Sequence, residues 1–375
     1  MERTFVRRLE VDGLVIDDSS ECYVIAEIGH NHQGKVQTAM EMFRAAKDCG
    51  ASAVKLQKRD NRSLYTRAMY DKPYDNENSF APTYGAHREA LEFGKAEYKA
   101  LQDYAREIGV TFFATAFDLP SLDFLASLDM PAYKIASGDL RNTPLLEAVA
   151  QTGRPMFVST GAATLEDVQR AYDTIMPINQ GLGFLQCTAG YPCAFEELDL
   201  RVIETYREHF DAVVGLSAHD SGIAMAVAAY VLGGRVIEKH FTLNRSMKGT
   251  DHAFSLEPVG LRKMVRDLSR VRVALGDGTK RMYPTESAPY MKMGKGLVAK
   301  RDLSAGHVLT AADIAIKSPA LGLPPYEFAT VIGRVLRQDL KEDQGIDLSV
   351  LEGAPGAGSG RAAAAGAQAD RGAKR

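Results

Sequence analysis

Two histidines and two lysines carry the strongest chemical signal in this 375-residue sequence. His219 lies near the end of VVGLSAHD (Val213 to Asp220) and His240 near the end of VIEKHFT (236 to 242), so each follows an apolar run. They lie one strand–helix unit apart, on neighbouring strand tips where the side chains can converge. Two imidazoles plus a carboxylate, with positions open to water or substrate, make a site for a divalent first-row metal acting as a Lewis acid. Two hydrogen-bonded core histidines would explain the same pair, so the neighbouring tips must decide. Lys55 and Lys134, with Ser137, Ser159 and Ser217, form a second cluster. Ammonium groups beside hydroxyl donors suit a phosphate or a carboxylate, and a small substrate bearing both would use them all. Taken singly, each serine is better explained by a structural hydrogen bond. Glu27 opens EIGHNHQG, where Gly29 and Gly34 permit a tight loop beside a strand end. Such a carboxylate can stabilise a carbocation or act as general base toward an attacking water. His30 and His32 of that loop are ambiguous, with His32 a candidate for shaping the site. His87, His209, His252 and His307 read as surface or hydrogen-bonding residues.

Eight short apolar runs must position these groups: 23–29, 53–57, 110–117, 132–137, 155–160, 183–188, 212–219 and 236–242. Amphipathic stretches separate them, as in VQTAMEMFRAAKDCG, where Ala39, Met42, Phe43 and Ala46 share one helical face and Gly50 stops the helix. Eight strand–helix units over about 250 residues predict a closed (β/α)8 barrel rather than an open sheet, with catalytic groups at the C-terminal strand ends. A solvated strand end explains any one polar tip. Eight tips bringing lysines, hydroxyls, acids and imidazoles to one rim, including Thr115, Thr160, Thr188 and Lys239, make that explanation poor for the set. Residues 1–22 precede the barrel and read as a hairpin turning at Asp12-Gly13.

Hydrophobic content of 45%, charged content of 25% and a net charge of -3 exclude a general attraction for nucleic acid or an acidic membrane. The cysteines at 22, 49, 187 and 193 form no metal-ligand spacing and read as core or pocket-wall thiols of a reducing compartment. The N-terminal stretch has no apolar signal core and no run reaches a membrane span, so a cytoplasmic protein is expected. From Gly353 the chain is Ala/Gly-rich, and 353–375 is expected to be a disordered tail.

AEIGHNHQG, VKLQ, YKIASGD, VSTG, GLSAHDSG and the 22-residue run IEKHFTLNRSMKGTDHAFSLEP together resemble the sialic acid synthases, with their legionaminate, pseudaminate and spore-coat relatives. The resemblance covers about residues 20–352. It implies a barrel over 23–280, a linker over 281–293 and a small antifreeze-like (SAF, β-clip) domain over 294–352. In the last of these, RDLSAGHVLT (301–310) and QDLKEDQGID (338–347) form a weak internal repeat, and TAAD (310–313) starts a short helix. The family joins phosphoenolpyruvate to the open-chain aldehyde of an N-acetylated hexose, giving a nine-carbon 2-keto-3-deoxy acid. By resemblance His219 and His240 hold Mn2+ or Mg2+, Glu27 stands near the cationic C2, and Glu238 completes the site beside the metal. Lys55, Thr115, Lys134, Ser137, Ser159 and Ser217 hold phosphoenolpyruvate, while Gln57, Tyr191 and Asp251 face the acceptor. The small domain is implied to cap the partner's barrel in a domain-swapped homodimer.

Four residues depart from the family pattern: Asp139 stands in place of Glu, Ala116 of proline, Ala189 of a polar residue and Ser318 of an arginine. The last two belong to the acceptor side by resemblance. They lead to the expectation that N-acetylmannosamine is a poor acceptor and that a less polar sugar, such as a 6-deoxy diacetamido hexose, is preferred. Condensation with a different aldehyde, and a non-catalytic sugar-binding relative, stand as alternatives. The antifreeze-like domain argues against the seven- and eight-carbon phosphate synthases.

Overall fold

A computed structural model describes residues 7–352, so the tail expected over 353–375 lies outside the described residues. The eight expected strands form one closed parallel barrel: β3 (Tyr23–Gly29), β4 (Ala53–Lys58), β5 (Thr111–Ala116), β6 (Tyr133–Ile135), β7 (Met156–Ser159), β8 (Leu182–Cys187), β9 (Val213–Ala218) and β10 (Val236–His240). β10 closes the ring on β3 in register, Val236 beside Tyr23 and His240 beside Glu27. β6 is shorter than the apolar run predicts, because Ser137-Gly138-Asp139 turns into a 3-10 helix.

Side chains alternate across a strand, so every second residue enters the barrel. Reading inward positions toward the C-terminal ends, Ile25 gives way to Glu27, Ala53 to Lys55, Phe113 to Thr115, Ala132 to Lys134, Phe157 to Ser159 and Val236 to Glu238. The barrel interior is therefore an apolar layer beneath a polar one. The apolar layer is closed from below by the hairpin β1 (Arg8–Val11) and β2 (Leu14–Asp17), whose Leu9, Val11 and Ile16 pack on Ile25, Phe113 and Phe157. Its turn residues Asp12 and Gly13 have φ of 52° and 80°, the two left-handed positions that Asp-Gly supplies in a tight hairpin. Outward positions such as Val24, Val54, Phe112 and Val158 pack under the helices, Ala39, Met42, Phe43 and Ala46 among them.

The chain divides into two compact units after Asp277. The second has its own core, built on Leu297, Leu303, Leu336, Leu340 and Ile346. Its two repeat halves pair directly, since Leu303 and Leu340 exchange backbone hydrogen bonds of 2.8 Å in each direction. The helix start read from TAAD is a 3-10 turn, Ala311–Asp313, with Thr310 and Asp313 capping each other. Part of the expected linker is helical, Ser287–Met293 following a turn begun by Pro284. Among the described residues no helix is long and apolar enough to cross a membrane, and the four cysteines are free.

Candidate active site

The polar layer floors a cavity of about 480 Å3, a volume suited to small molecules. Glu27, Lys55, Gln57, Thr115, Lys134, Ser137, Ser159, Tyr191, Ser217, His219, Glu238, His240 and Asp251 all line it, so tips dispersed over more than two hundred residues meet at one rim. Lys55 Nζ pairs with Glu27 Oε2, donates to Thr115 Oγ1 (2.8 Å) and lies 3.8 Å from Glu238 Oε1. Lys134 Nζ donates to Ser159 Oγ (2.6 Å) and the Ile135 carbonyl (2.8 Å), with Glu238 Oε1 at 3.9 Å. Ser217 Oγ donates to that same oxygen at 3.2 Å. Ser137 Oγ accepts from the Gly161 amide (2.9 Å), where any Cβ would fall 2.8 Å from the hydroxyl, so position 161 keeps the cradle open.

Burial works against both charges at the centre. It lowers the Lys134 pKa, as does neighbouring Lys55, with Glu238 opposing. On Glu238 burial pushes upward, but the Lys134 and Lys55 ammonium groups and the two imidazoles outweigh it and keep the carboxyl below its ordinary range. Two buried ammonium groups facing two buried carboxylates satisfy the requirement that buried charge be paired. Glu238 Oε2 nevertheless has no hydrogen-bond partner.

The His219 and His240 rings stand 5.5 Å apart. His219 Nδ1 lies 3.0 Å from the Thr188 carbonyl, a contact that requires the proton on Nδ1 and leaves Nε2 a free lone pair. Burial, then the adjacent His240, pulls the His219 pKa down to about 4, so the ring is neutral at pH 7. His240 Nδ1 is buried without a partner, 3.9 Å from Asp251 Oδ2. Two imidazoles facing the cavity, His219 with Nε2 free and His240 with Nδ1 unpartnered, fit a divalent cation. Among the described residues no group of three or more His, Cys, Asp or Glu side chains is placed to hold one, so water and substrate would complete the ligand set.

Gln57, Tyr191, Asp251 and Ala189, which the resemblance places on the acceptor side, line the same cavity. Gln57 Nε2 donates to Glu27 Oε1 at 2.7 Å, and Tyr191, 57% exposed, lays its ring 4.1 Å from that of His219. Gly29 allows this crowding: its φ is +54°, the β3–β4 register shifts there, and a Cβ would meet Glu27 Oε1 at 3.1 Å and Gln57 Nε2 at 3.3 Å. Ser318 belongs to the second unit, where its Oγ donates to the Met293 carbonyl (3.1 Å) and accepts from Lys295. Its neighbour Lys317 is paired with Asp343.

Several candidate tips serve the fold instead. Lys239 alternates away from Glu238 and His240 and is buried against Asp220 Oδ1 at 2.8 Å. Thr160 accepts from Tyr206 (3.0 Å) and donates to the Leu185 carbonyl (3.0 Å), while the Thr188 hydroxyl donates to the Glu197 carbonyl. His32 is buried on Phe93, ring centroids 4.1 Å apart, and is not among the lining residues. Arg59, Arg88, Phe117 and Phe254 also line the cavity and were not singled out in the sequence. Arg59 was legible: it follows Lys55 and Gln57 at the same two-residue spacing. Arg88 lies on a helix between β4 and β5, Tyr84–Glu89, and no local pattern aims it at the rim.

Residues 42–280 match the NeuB family and residues 294–352 the SAF domain. The chain belongs to the NeuB family. It is 41% identical to N-acetylneuraminate-9-phosphate synthase of Mus musculus, over 86% of this chain and 90% of that one. It is 33% identical to N,N'-diacetyllegionaminic acid synthase of Legionella pneumophila, over 86% and 92%. Among solved structures, an N-acetylneuraminic acid synthetase from Leptospira borgpetersenii in complex with citrate superposes with a TM-score of 0.68 at 28% identity, over 76% of this chain and 96% of that one. As a NeuB family member with synthases for relatives, this protein is an enzyme.

Proposed function

We propose that this NeuB family enzyme condenses phosphoenolpyruvate with the open-chain aldehyde of an N-acylated hexose, giving a nine-carbon 2-keto-3-deoxy acid and phosphate. The observation that carries the reading is the pair of buried ammonium groups, Lys55 and Lys134, each bonded to a rim hydroxyl beside the two imidazoles. In this reading Lys55, Lys134, Thr115, Ser137, Ser159 and Ser217 hold the phosphate and carboxylate of phosphoenolpyruvate. The ammonium charges are already opposed by Glu27 and Glu238, so a substrate bearing a carboxylate and a phosphate needs further positive charge in the cavity. Mn2+ or Mg2+ at His219 and His240 would supply it and polarise the acceptor carbonyl.

C3 of phosphoenolpyruvate attacks the aldehyde carbon, the C=O π bond opens onto the oxygen, which takes up a proton to become the product hydroxyl, and positive charge develops at C2. Glu27 stabilises that charge and takes a proton from the water that adds there. Phosphate then leaves by cleavage of the C2–O bond. The test is phosphate release over a panel of aldoses, using phosphoenolpyruvate labelled with heavy oxygen at its C–O–P bridge. Labelled phosphate is expected, and label retained in the keto acid would overturn the mechanism.

We also propose that the enzyme works as a homodimer. Met282, Tyr283, Tyr290, Met291 and Met293 are all exposed around the helix Ser287–Met293, which suits burial against a second copy. Light scattering should give twice the chain mass, and a truncation lacking 290–352 should be monomeric and inactive; a fully active monomer would sink the proposal. The relatives' names cover products both with and without a phosphate, so they leave the acceptor's far end open.

A further inference from the structure

Two arginines at the acceptor end have no part in the condensation itself. Arg59 is buried, lies 3.8 Å over the Phe117 ring, donates to Gln57 Oε1 (2.6 Å) and reaches His30 Nε2 at 3.2 Å. Arg88 reaches the other nitrogen of the same ring, His30 Nδ1, at 3.2 Å, and donates to the Tyr84 hydroxyl at 3.1 Å. Both line the cavity beside Gln57, Thr250 and Asp251. A neutral imidazole has one acceptor nitrogen and a charged one has none. Two guanidinium groups on the two nitrogens of one ring therefore leave at least one N–H without an acceptor there.

Charge is unbalanced as well. Among the described residues neither guanidinium has a carboxylate oxygen within the 4.0 Å of an ion pair. Of the acids nearby, Glu92 places Oε2 on Lys58 (3.0 Å) and Oε1 3.5 Å from His30 Nε2, while Asp251 accepts from the Thr250 hydroxyl (3.0 Å) and lies 3.9 Å from His240 Nδ1. A sugar hydroxyl or acetamido group would take one donor and leave both charges uncompensated. A phosphate takes several donors from planar guanidinium forks and cancels the charge.

The position along the cavity identifies which end of the acceptor this is. Glu27 accepts from Gln57, and Gln57 accepts from Arg59, so Arg59 is two side chains removed from Glu27 along the wall. Building on the condensation reading, we infer that the acceptor is a phosphorylated aldose whose aldehyde lies at His219 and His240 and whose terminal phosphate is held by Arg59 and Arg88. This replaces the less polar sugar expected from Ala189 and Ser318.

The test compares kcat/KM for N-acetylmannosamine with and without a phosphate on C6, in the wild type, Arg59→Met, Arg88→Met and Arg88→Lys. Each charge-assisted contact corresponds to roughly ten- to a hundredfold, so the wild type should prefer the phosphorylated sugar by at least about tenfold. Each methionine variant should reduce that preference about tenfold, with Arg88→Lys retaining part of it. A purely structural role would lower both values together and leave the ratio unmoved, which would overturn the assignment of the arginines. Should a methionine variant fail to fold, the ratio in Arg88→Lys and competition by inorganic phosphate against the sugar phosphate decide in the same way. Equal or better use of the unphosphorylated sugar would overturn the inference and leave the condensation standing. No phosphoenolpyruvate consumption with any aldose would overturn both.

Discussion

Lys134→Met should lower kcat/KM for phosphoenolpyruvate by roughly two to four orders of magnitude while the barrel stays folded. The ammonium is buried, bonded to Ser159 at 2.6 Å and 3.9 Å from Glu238. Its removal takes a charge-assisted donor from the anion cradle and leaves Glu238 more strongly uncompensated, a loss of about 3–5 kcal/mol for one partner of a buried pair. The pH profile adds a second readout. Burial and Lys55 lower the Lys134 pKa, and the cation is the form that holds an anion. The contribution is thus complete below that lowered pKa and is lost as pH rises through it, so the alkaline limb begins below the ordinary lysine range. Lys134→Arg should move that limb upward. An unchanged profile in Lys134→Met, with circular dichroism showing a folded protein, would remove Lys134 from the site.

His219→Ala and His240→Ala should each reduce turnover by about a thousandfold or more, the several kcal/mol that Lewis-acid polarisation of a carbonyl supplies. The rings are 5.5 Å apart, and with no third His, Cys, Asp or Glu ligand placed among the described residues, each proposed imidazole ligand would count for more. EDTA should silence the wild type, Mn2+ should restore it, and neither treatment should rescue the alanine variants. Calorimetry should show the variants failing to bind Mn2+ under conditions where the wild type does. Acid should weaken metal binding too, because the proposed ligand His219 would bind as the neutral ring, and burial holds its pKa down at about 4. Full activity in EDTA would sink the assignment.

Much of this site is legible because alternation along a strand is local. In VIEKHFT, Glu238 and His240 are two residues apart and enter the barrel together, while Lys239 between them must turn outward, where Asp220 pairs with it. The same spacing carries Ile25 to Glu27 and Ala132 to Lys134, so the change from apolar floor to polar rim is written strand by strand. Arg59 obeys that rule two residues beyond Gln57, where the apolar run has already ended. Thr160 and Thr188 look like rim hydroxyls in the sequence, yet a backbone carbonyl takes each one's proton.

The sequence alone determined the eight-strand count and the chemical types gathered at the strand ends, because these follow from apolar periodicity over a few residues. Tertiary structure alone decided which tips meet across the ring. Lys55 and Glu27 come from adjacent strands, but Lys134 meets Glu238 across the barrel. It also decided that the hairpin plugs the floor, and that His30 receives Arg59 from a strand end and Arg88 from a helix between β4 and β5. Such contacts depend on how a closed sheet and a long connection pack, and no periodicity in either segment encodes the distance between them.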